Sequence, residues 1–442
     1  MTHTAKGPVH GPVKLADRSM TSRRQFLQTS AAFGAAGMAG LGVTRARAQS
    51  RVEISFASAA FFGKESFGDL CDTFNESQDR IFVRFIELPP PSSSTEVFQG
   101  LVQQLARADG TPDVFSQDVI WIAGFAEAGW ALPLGEYFPD TKDYFSGTVA
   151  ACTYNNQLTA LPWFMDSGML YYRRDILEKM GAEVPTTWDQ MATLAAAAQG
   201  AGDAEFGYLW QGKQAEVLVC DAVEIITSNN GAILAADGKS ALVNQPEAVA
   251  AIQFLYDTIA TTKISPQNVL SWDEEPSRMP FTAGRGTFMR NWSYVYPIAQ
   301  DPAASDVVDK VGVAPLPAFD GGKSAACLGG YQLGINANSK YREAAVEFLT
   351  WLSSAEVQQR IALNFGLAPT RANLFDDATI KAEQPFMASL QSVFTGATAR
   401  PITPKYSEVS LALQSGISKA FVSGNVQAEM DALATEINRI VA

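Results

Sequence analysis

Histidine is almost absent from this chain. Its 442 residues include only His3 and His10, both inside a leader whose pattern marks it for removal, so the mature protein is expected to carry no imidazole. That excludes a Ser-His-Asp triad and takes the commonest ligand away from zinc, haem and metal-activated water. Cysteine is scarce too. Cys71, Cys152, Cys220 and Cys327 lie 81, 68 and 107 residues apart, which gives no Cys-x-x-Cys pair and no zinc or iron-sulfur spacing. Buried free thiols are the default reading, although an even count permits one or two disulfides whose pairing the sequence does not assign. No cofactor and no metal is expected. Gly322-Lys323-Ser324 resembles the end of a phosphate-binding loop, but the glycine required five residues before the second is Pro317. A turn after a strand at Val311 to Ala314 accounts for it better.

Basic clusters and long apolar runs are also missing. The net charge is -13, and removing residues 1–48 takes away seven basic residues and one acid, which leaves -19. Nucleic acid and anionic lipid are held by Lys and Arg neutralising phosphate, so neither is an expected partner. The longest apolar run, Ala31 to Val43, has 13 residues. Spanning a bilayer takes roughly 20, so no direct membrane insertion is expected.

What is present at the start is an export signal. Ser22-Arg23-Arg24-Gln25-Phe26-Leu27 precedes the apolar run, and Arg45-Ala46-Arg47-Ala48 follows it. Adjacent arginines ahead of the core specify the twin-arginine route, with cleavage expected after Ala48. A lipid anchor needs a cysteine at the cleavage point, whereas the first cysteine is Cys71. The mature chain is therefore expected free in the periplasm.

The remaining 394 residues read as a mixed α/β protein of two domains. Val52, Ile54 and Phe56 alternate as in a strand, Ser66 is placed to cap a helix carrying Phe67, Leu70 and Phe74, and Ile81 to Ile86 reads as a buried strand. Strand, helix, strand implies a parallel sheet. Leu88 to Ser94, rich in Pro and Ser, reads as a surface loop at the edge of a cleft. Pro246 opens a helix with Val249, Ile252, Leu255 and Ile259 on one face. Ala344 to Leu363 reads as one long amphipathic helix, and Asn425 caps a last helix carrying Met430, Leu433, Ile437 and Ile440.

The chemistry left is carboxylate, aromatic ring and arginine, a set suited to carbohydrate: ionised carboxylates accept from sugar hydroxyls, and the C–H face of a pyranose packs on Trp or Tyr. Asp118, Asp166, Asn291-Trp292-Ser293-Tyr294 and Gly329-Gly330-Tyr331 each stand at the end of an apolar run, where α/β sheets present ligands. The strings Leu161-Pro162-Trp163-Phe164-Met165-Asp166, Trp210-Gln211-Gly212-Lys213-Gln214, Phe288-Met289-Arg290-Asn291-Trp292, Val311-Gly312-Val313-Ala314-Pro315-Leu316-Pro317 and Arg400-Pro401-Ile402-Thr403-Pro404 resemble those of the trehalose/maltose-binding proteins. These are family 1 extracellular solute-binding proteins of ABC sugar importers, and the likeness runs in order from about Ile54 to the last helix.

The resemblance implies a two-lobe periplasmic binding protein fold of class II type, with a hinge and an interlobe ligand cleft. It places one lobe at 49–164 plus 313–368 and the other at 165–312 plus 369–442. It implies a monomer without enzymatic activity that captures an α-linked disaccharide of trehalose, maltose or sucrose type and delivers it to membrane permease subunits. Glu65, Asp118, Asp166, Trp292, Tyr294, Gly330, Tyr331 and Arg400 match the family's ligand contacts. The carboxylates would accept from hydroxyls, Trp292 and Tyr294 would form a stacking floor, and Arg400 would donate a fork of hydrogen bonds or pair with an acid between lobes. Asp118 also reads as a helix cap, and Glu65 as an acid favouring a nearby helix start. Tyr331 stands where the family commonly has Trp, and Pro91 to Phe98 lacks an arginine the family tends to carry. Two other functions fit the same residues: a polyol or monosaccharide binder, and a periplasmic glycoside hydrolase using two of Glu65, Asp118 and Asp166 about 5 to 10 Å apart.

Overall fold

The computed structural model describes residues 51–442 except positions 62, 64, 388, 389, 391, 392, 395 and 396. The expected signal segment and its cleavage after Ala48 lie outside the described residues.

The chain begins with strand β1 (Val52–Ala59), a helix (Phe67–Ser77) and strand β2 (Ile81–Leu88), and β1 pairs with β2 in parallel. A reciprocal cap starts the helix: Ser66 Oγ accepts from the Asp69 N–H, and the Asp69 carboxylate accepts from the Ser66 N–H at 2.7 Å. Phe67, Leu70 and Phe74 are buried, as the spacing predicts. The expectation for β2 is corrected. It is the outermost strand of its sheet and alternates buried with exposed residues, so Phe82 faces outward where a central strand would bury it.

The first sheet runs β2-β1-β3-β13-β6, where β3 is Val114–Asp118, β13 is Tyr331–Ile335 and β6 is Leu161–Pro162, while β4 (Thr153–Tyr154) and β5 (Gln157–Leu158) pair only with each other. β13 lies antiparallel to β3, which sets Tyr331 opposite Asp118. The second sheet runs β11-β8-β10-β9: Val311–Ala314, Met169–Arg173, Gly286–Asn291 and Phe206–Leu209. Between them a third sheet runs β14-β7-β12-β15, formed by Ala368–Pro369, Phe164–Ser167, Ala326–Gly329 and Ala397–Thr398. The chain passes from one lobe to the other along β6, β7 and β8, and returns along β11, β12 and β13. Val313 pairs with Tyr171 inside the second sheet, and Tyr331 pairs with Asp118 inside the first.

Each lobe has its own core. Phe56, Trp163 and Phe348 are fully buried in the first, Trp188, Trp210 and Phe288 in the second, and Tyr171, Phe281 and Met289 in a third cluster beside the crossing strands. Ala344 to Leu363 is two helices rather than one, Arg342–Leu352 and Ala355–Phe365. Ser354 caps the second by accepting from the Val357 N–H, so a local hydrogen bond restarts the helix inside a continuous apolar pattern. Two helices, Tyr406–Ser423 and Val426–Val441, close the chain against the second core, the last capped by Asn425 as expected. No helix among the described residues is long and apolar enough to cross a membrane.

Candidate functional site

A cleft lies where the three sheets meet. Its wall includes Asp118, Asp166, Trp292, Tyr294, Gly330, Tyr331 and Arg400, seven of the eight residues expected from sequence, and Pro91, Ser92 and Ser94 of the expected border loop.

Asp118 ends β3 and is buried. Its Oδ1 accepts from Arg400 Nη2 at 2.8 Å and from the Ile120 N–H at 3.2 Å, so it serves a turn and an ion pair at once. Burial pushes its carboxyl above the usual range and Arg400 opposes the shift. Asp166, on β7, accepts from the backbone N–H groups of Ser167 at 2.8 Å and Ser293 at 3.1 Å. Burial still pushes it up to about 6. The Ser293 contact ties the hinge strand to the turn after β10, which carries Trp292 and Tyr294.

That turn is held firmly. The Arg290 guanidinium lies 4.1 Å from the Trp292 ring centroid while pairing with Glu224 at 2.5 Å and Asp221 at 2.9 Å. Tyr294 donates its hydroxyl to Glu275 Oε1 at 2.7 Å. Gly330 has φ of 109°, and a Cβ there would stand 2.4 Å from the Phe164 carbonyl oxygen, so only glycine lets the return strand pass this close to β7. The Tyr331 ring is packed edge-on by Phe61 at 5.1 Å and Trp121 at 5.8 Å. Its hydroxyl is buried with no protein partner.

Glu65 is placed differently. Both of its oxygens are taken by Arg360, at 2.8 and 2.5 Å, and Asn364 donates at 2.7 Å, all within the first lobe. It does not line the cleft, and its carboxylate is engaged in an intralobe ion pair.

Among the wall residues that escaped the sequence reading are Glu216, Glu274 and Cys220. Glu216 opens the helix Glu216–Ser228 and accepts from Arg400 Nη1 at 2.9 Å and from the hydroxyls of Tyr406 and Ser410. Glu274 has a buried Oε2 with no partner, and burial raises its carboxyl. Cys220 also reaches the wall, and all four cysteines are free and buried. The acidic run Asp273-Glu274-Glu275 beside Trp272 was a signal for the second; the first has none, since its hydroxyl partners are about 190 residues away. No group of three or more His, Cys, Asp or Glu arranged to hold a metal ion occurs among the described residues.

Residues 83–359 match the family model of the bacterial extracellular solute-binding protein. The chain belongs to that family. A probable ABC transporter-binding protein of Deinococcus radiodurans is 38% identical over 345 residues, 76% of this chain and 80% of that one. Among solved structures, the maltose-bound MalE3 of T. maritima is 37% identical, covers 87% of this chain and 99% of its own, and superposes with a TM-score of 0.81. The mannitol-binding protein of Pseudomonas aeruginosa is 23% identical over 332 residues, 73% of this chain and 75% of that one. The two-lobe fold and the cleft between the sheets are thus those of an extracellular solute-binding protein.

Proposed function

We propose that this solute-binding protein captures a sugar, an α-linked disaccharide of trehalose, maltose or sucrose type, and delivers it to the permease subunits of an ABC importer. It reaches the periplasm by the twin-arginine route, is cleaved after Ala48 and works as a monomer. The observation that carries the reading is the set of buried polar atoms on the cleft wall without protein partners, Tyr331 Oη, Arg400 Nε and Glu274 Oε2, beside the Trp292 and Tyr294 rings. Such atoms are costly unless a ligand satisfies them, and hydroxyl groups both donate and accept. In this reading Asp118 and Asp166 accept from hydroxyls on the two sides of the cleft, and Trp292 and Tyr294 stack on a ring face. Sugar touching both lobes favours the closed form by the contacts it adds there, and the permease reads that form.

A polyol or monosaccharide is the second reading, favoured by the mannitol-binding relative. A thermal-shift panel separates the two, because a ligand bound only by the folded state stabilises it by about 2.7 kcal/mol at a hundredfold excess over its Kd. Maltose, trehalose or sucrose is expected to raise the melting temperature above the effect of mannitol or glucose. A response confined to polyols or monosaccharides overturns the disaccharide assignment, and release of monosaccharide on incubation overturns binding without chemistry.

A further inference from the structure

Asp118 and Glu216 belong to opposite lobes, one at the end of the first sheet and the other at the start of a helix in the second core. Arg400 lies between them, donating to Glu216 at 2.9 Å and to Asp118 at 2.8 Å. The segment carrying Arg400 runs from β15 into the helix Tyr406–Ser423, and that helix supplies both hydroxyls that hold Glu216. Glu216 and Arg400 are therefore anchored together on the second lobe. Asp118 is the only member contributed by the first.

We propose that these three residues form a charge-balanced interlobe clasp in which Glu216 is a positioning residue that limits how strongly Arg400 pulls Asp118. Consider the two lobes apart. Arg400 keeps Glu216, so its positive charge is already matched and Asp118 meets a nearly neutral pair on closing. Asp118 must also shed water to be buried there, and Glu216 repels it, as the upward push of Glu216 on the Asp118 carboxyl reflects. Closure by the clasp alone is consequently weak, and the ligand decides it. Neutralising Glu216 while keeping its shape would leave a bare cation facing Asp118, which favours the closed form. Removing the cation would leave two carboxylates facing each other, which favours the open form.

The clasp rests on the solute-binding reading above, but its test is made first without any sugar. Small-angle scattering of the ligand-free mature protein is compared for wild type, Glu216→Gln and Arg400→Gln. Glu216→Gln is expected to compact the molecule and Arg400→Gln to expand it, and one arm reads out whichever conformer dominates in wild type. Glu216→Gln is further expected to bind maltose up to about tenfold more tightly, since raising the closed population raises apparent affinity by the same factor. Expansion of Glu216→Gln, or scattering unchanged in both variants, overturns the clasp. Should a variant fail to fold, Asp118→Asn replaces Arg400→Gln and Glu216→Ala replaces Glu216→Gln, each removing the same charge interaction and carrying the same predicted sign. If maltose does not bind wild type, the sugar assignment fails while the scattering arms still judge the clasp.

Discussion

Two carboxylates of the first lobe each receive an arginine. Glu65 accepts a two-bond fork from Arg360, whose side chain is 33% exposed, and the pair stays within one lobe. Asp118 accepts a single bond from Arg400, whose side chain is 2% exposed, and that pair joins the lobes. By geometry alone the first is the better ion pair. The second matters more, because burial decides what the loss of a partner costs and position decides what the bond connects.

Arg400→Ala should give the largest effect. It strands Asp118 and Glu216 in a buried site, and breaking a buried pair costs about 3–5 kcal/mol. Arg360→Ala should cost less, about 1–2 kcal/mol, because its guanidinium is 33% exposed and Glu65 keeps the Asn364 amide. Urea denaturation of both variants measures the contrast directly, and equal losses would erase the distinction between the two pairs.

Asp166 sharpens the comparison with a carboxylate that has no arginine partner. Burial pushes its carboxyl up to about 6 from the ordinary 3.8, so between these values the native state holds more protons than the unfolded state. Stability should therefore fall as pH rises from about 4 to about 6, by at most about 3 kcal/mol, and Asp166→Asn should flatten that fall. Binding should run the other way. Hydroxyls donating to an ionised Asp166 favour its charged form, so maltose affinity should strengthen as pH rises through about 6. Calorimetry across that range reads the sign, and no histidine lies among the described residues to mimic it.

Tyr331→Phe isolates one atom. The hydroxyl has no protein partner, so stability should hold or rise slightly, while loss of a ligand hydrogen bond should weaken maltose binding by about 1–3 kcal/mol. A drop in stability with unchanged affinity would make Tyr331 a core residue only.

Legibility from the sequence followed locality. The Ser66–Asp69 cap, the Asn425 cap, the Pro246 helix start and the Pro91–Ser94 border of the cleft rest on neighbours within a few positions, and all were readable. The break at Ser353–Ser354 was hidden because the apolar stripe continues through it. The edge position of β2 was hidden because strand order is set by pairing, not by composition. Glu216 is the clearest case of distance: an acid at a helix start reads as a favourable charge there, and its partners come from far along the chain.

Glu65→Gln offers the finest test of the opening contrast. The family likeness gives this residue a sugar contact, whereas the geometry commits both its oxygens to Arg360 and Asn364. A glutamine retains the shape and one acceptor oxygen, so Arg360 keeps a neutral partner and the stability loss should stay below about 1 kcal/mol. Maltose affinity should not change. An affinity loss comparable to that of Tyr331→Phe would mean that the Glu65 carboxylate leaves Arg360 for the ligand when sugar arrives. The partition between an ion pair that braces one lobe and one that joins two would then be a property of the sugar-free protein alone.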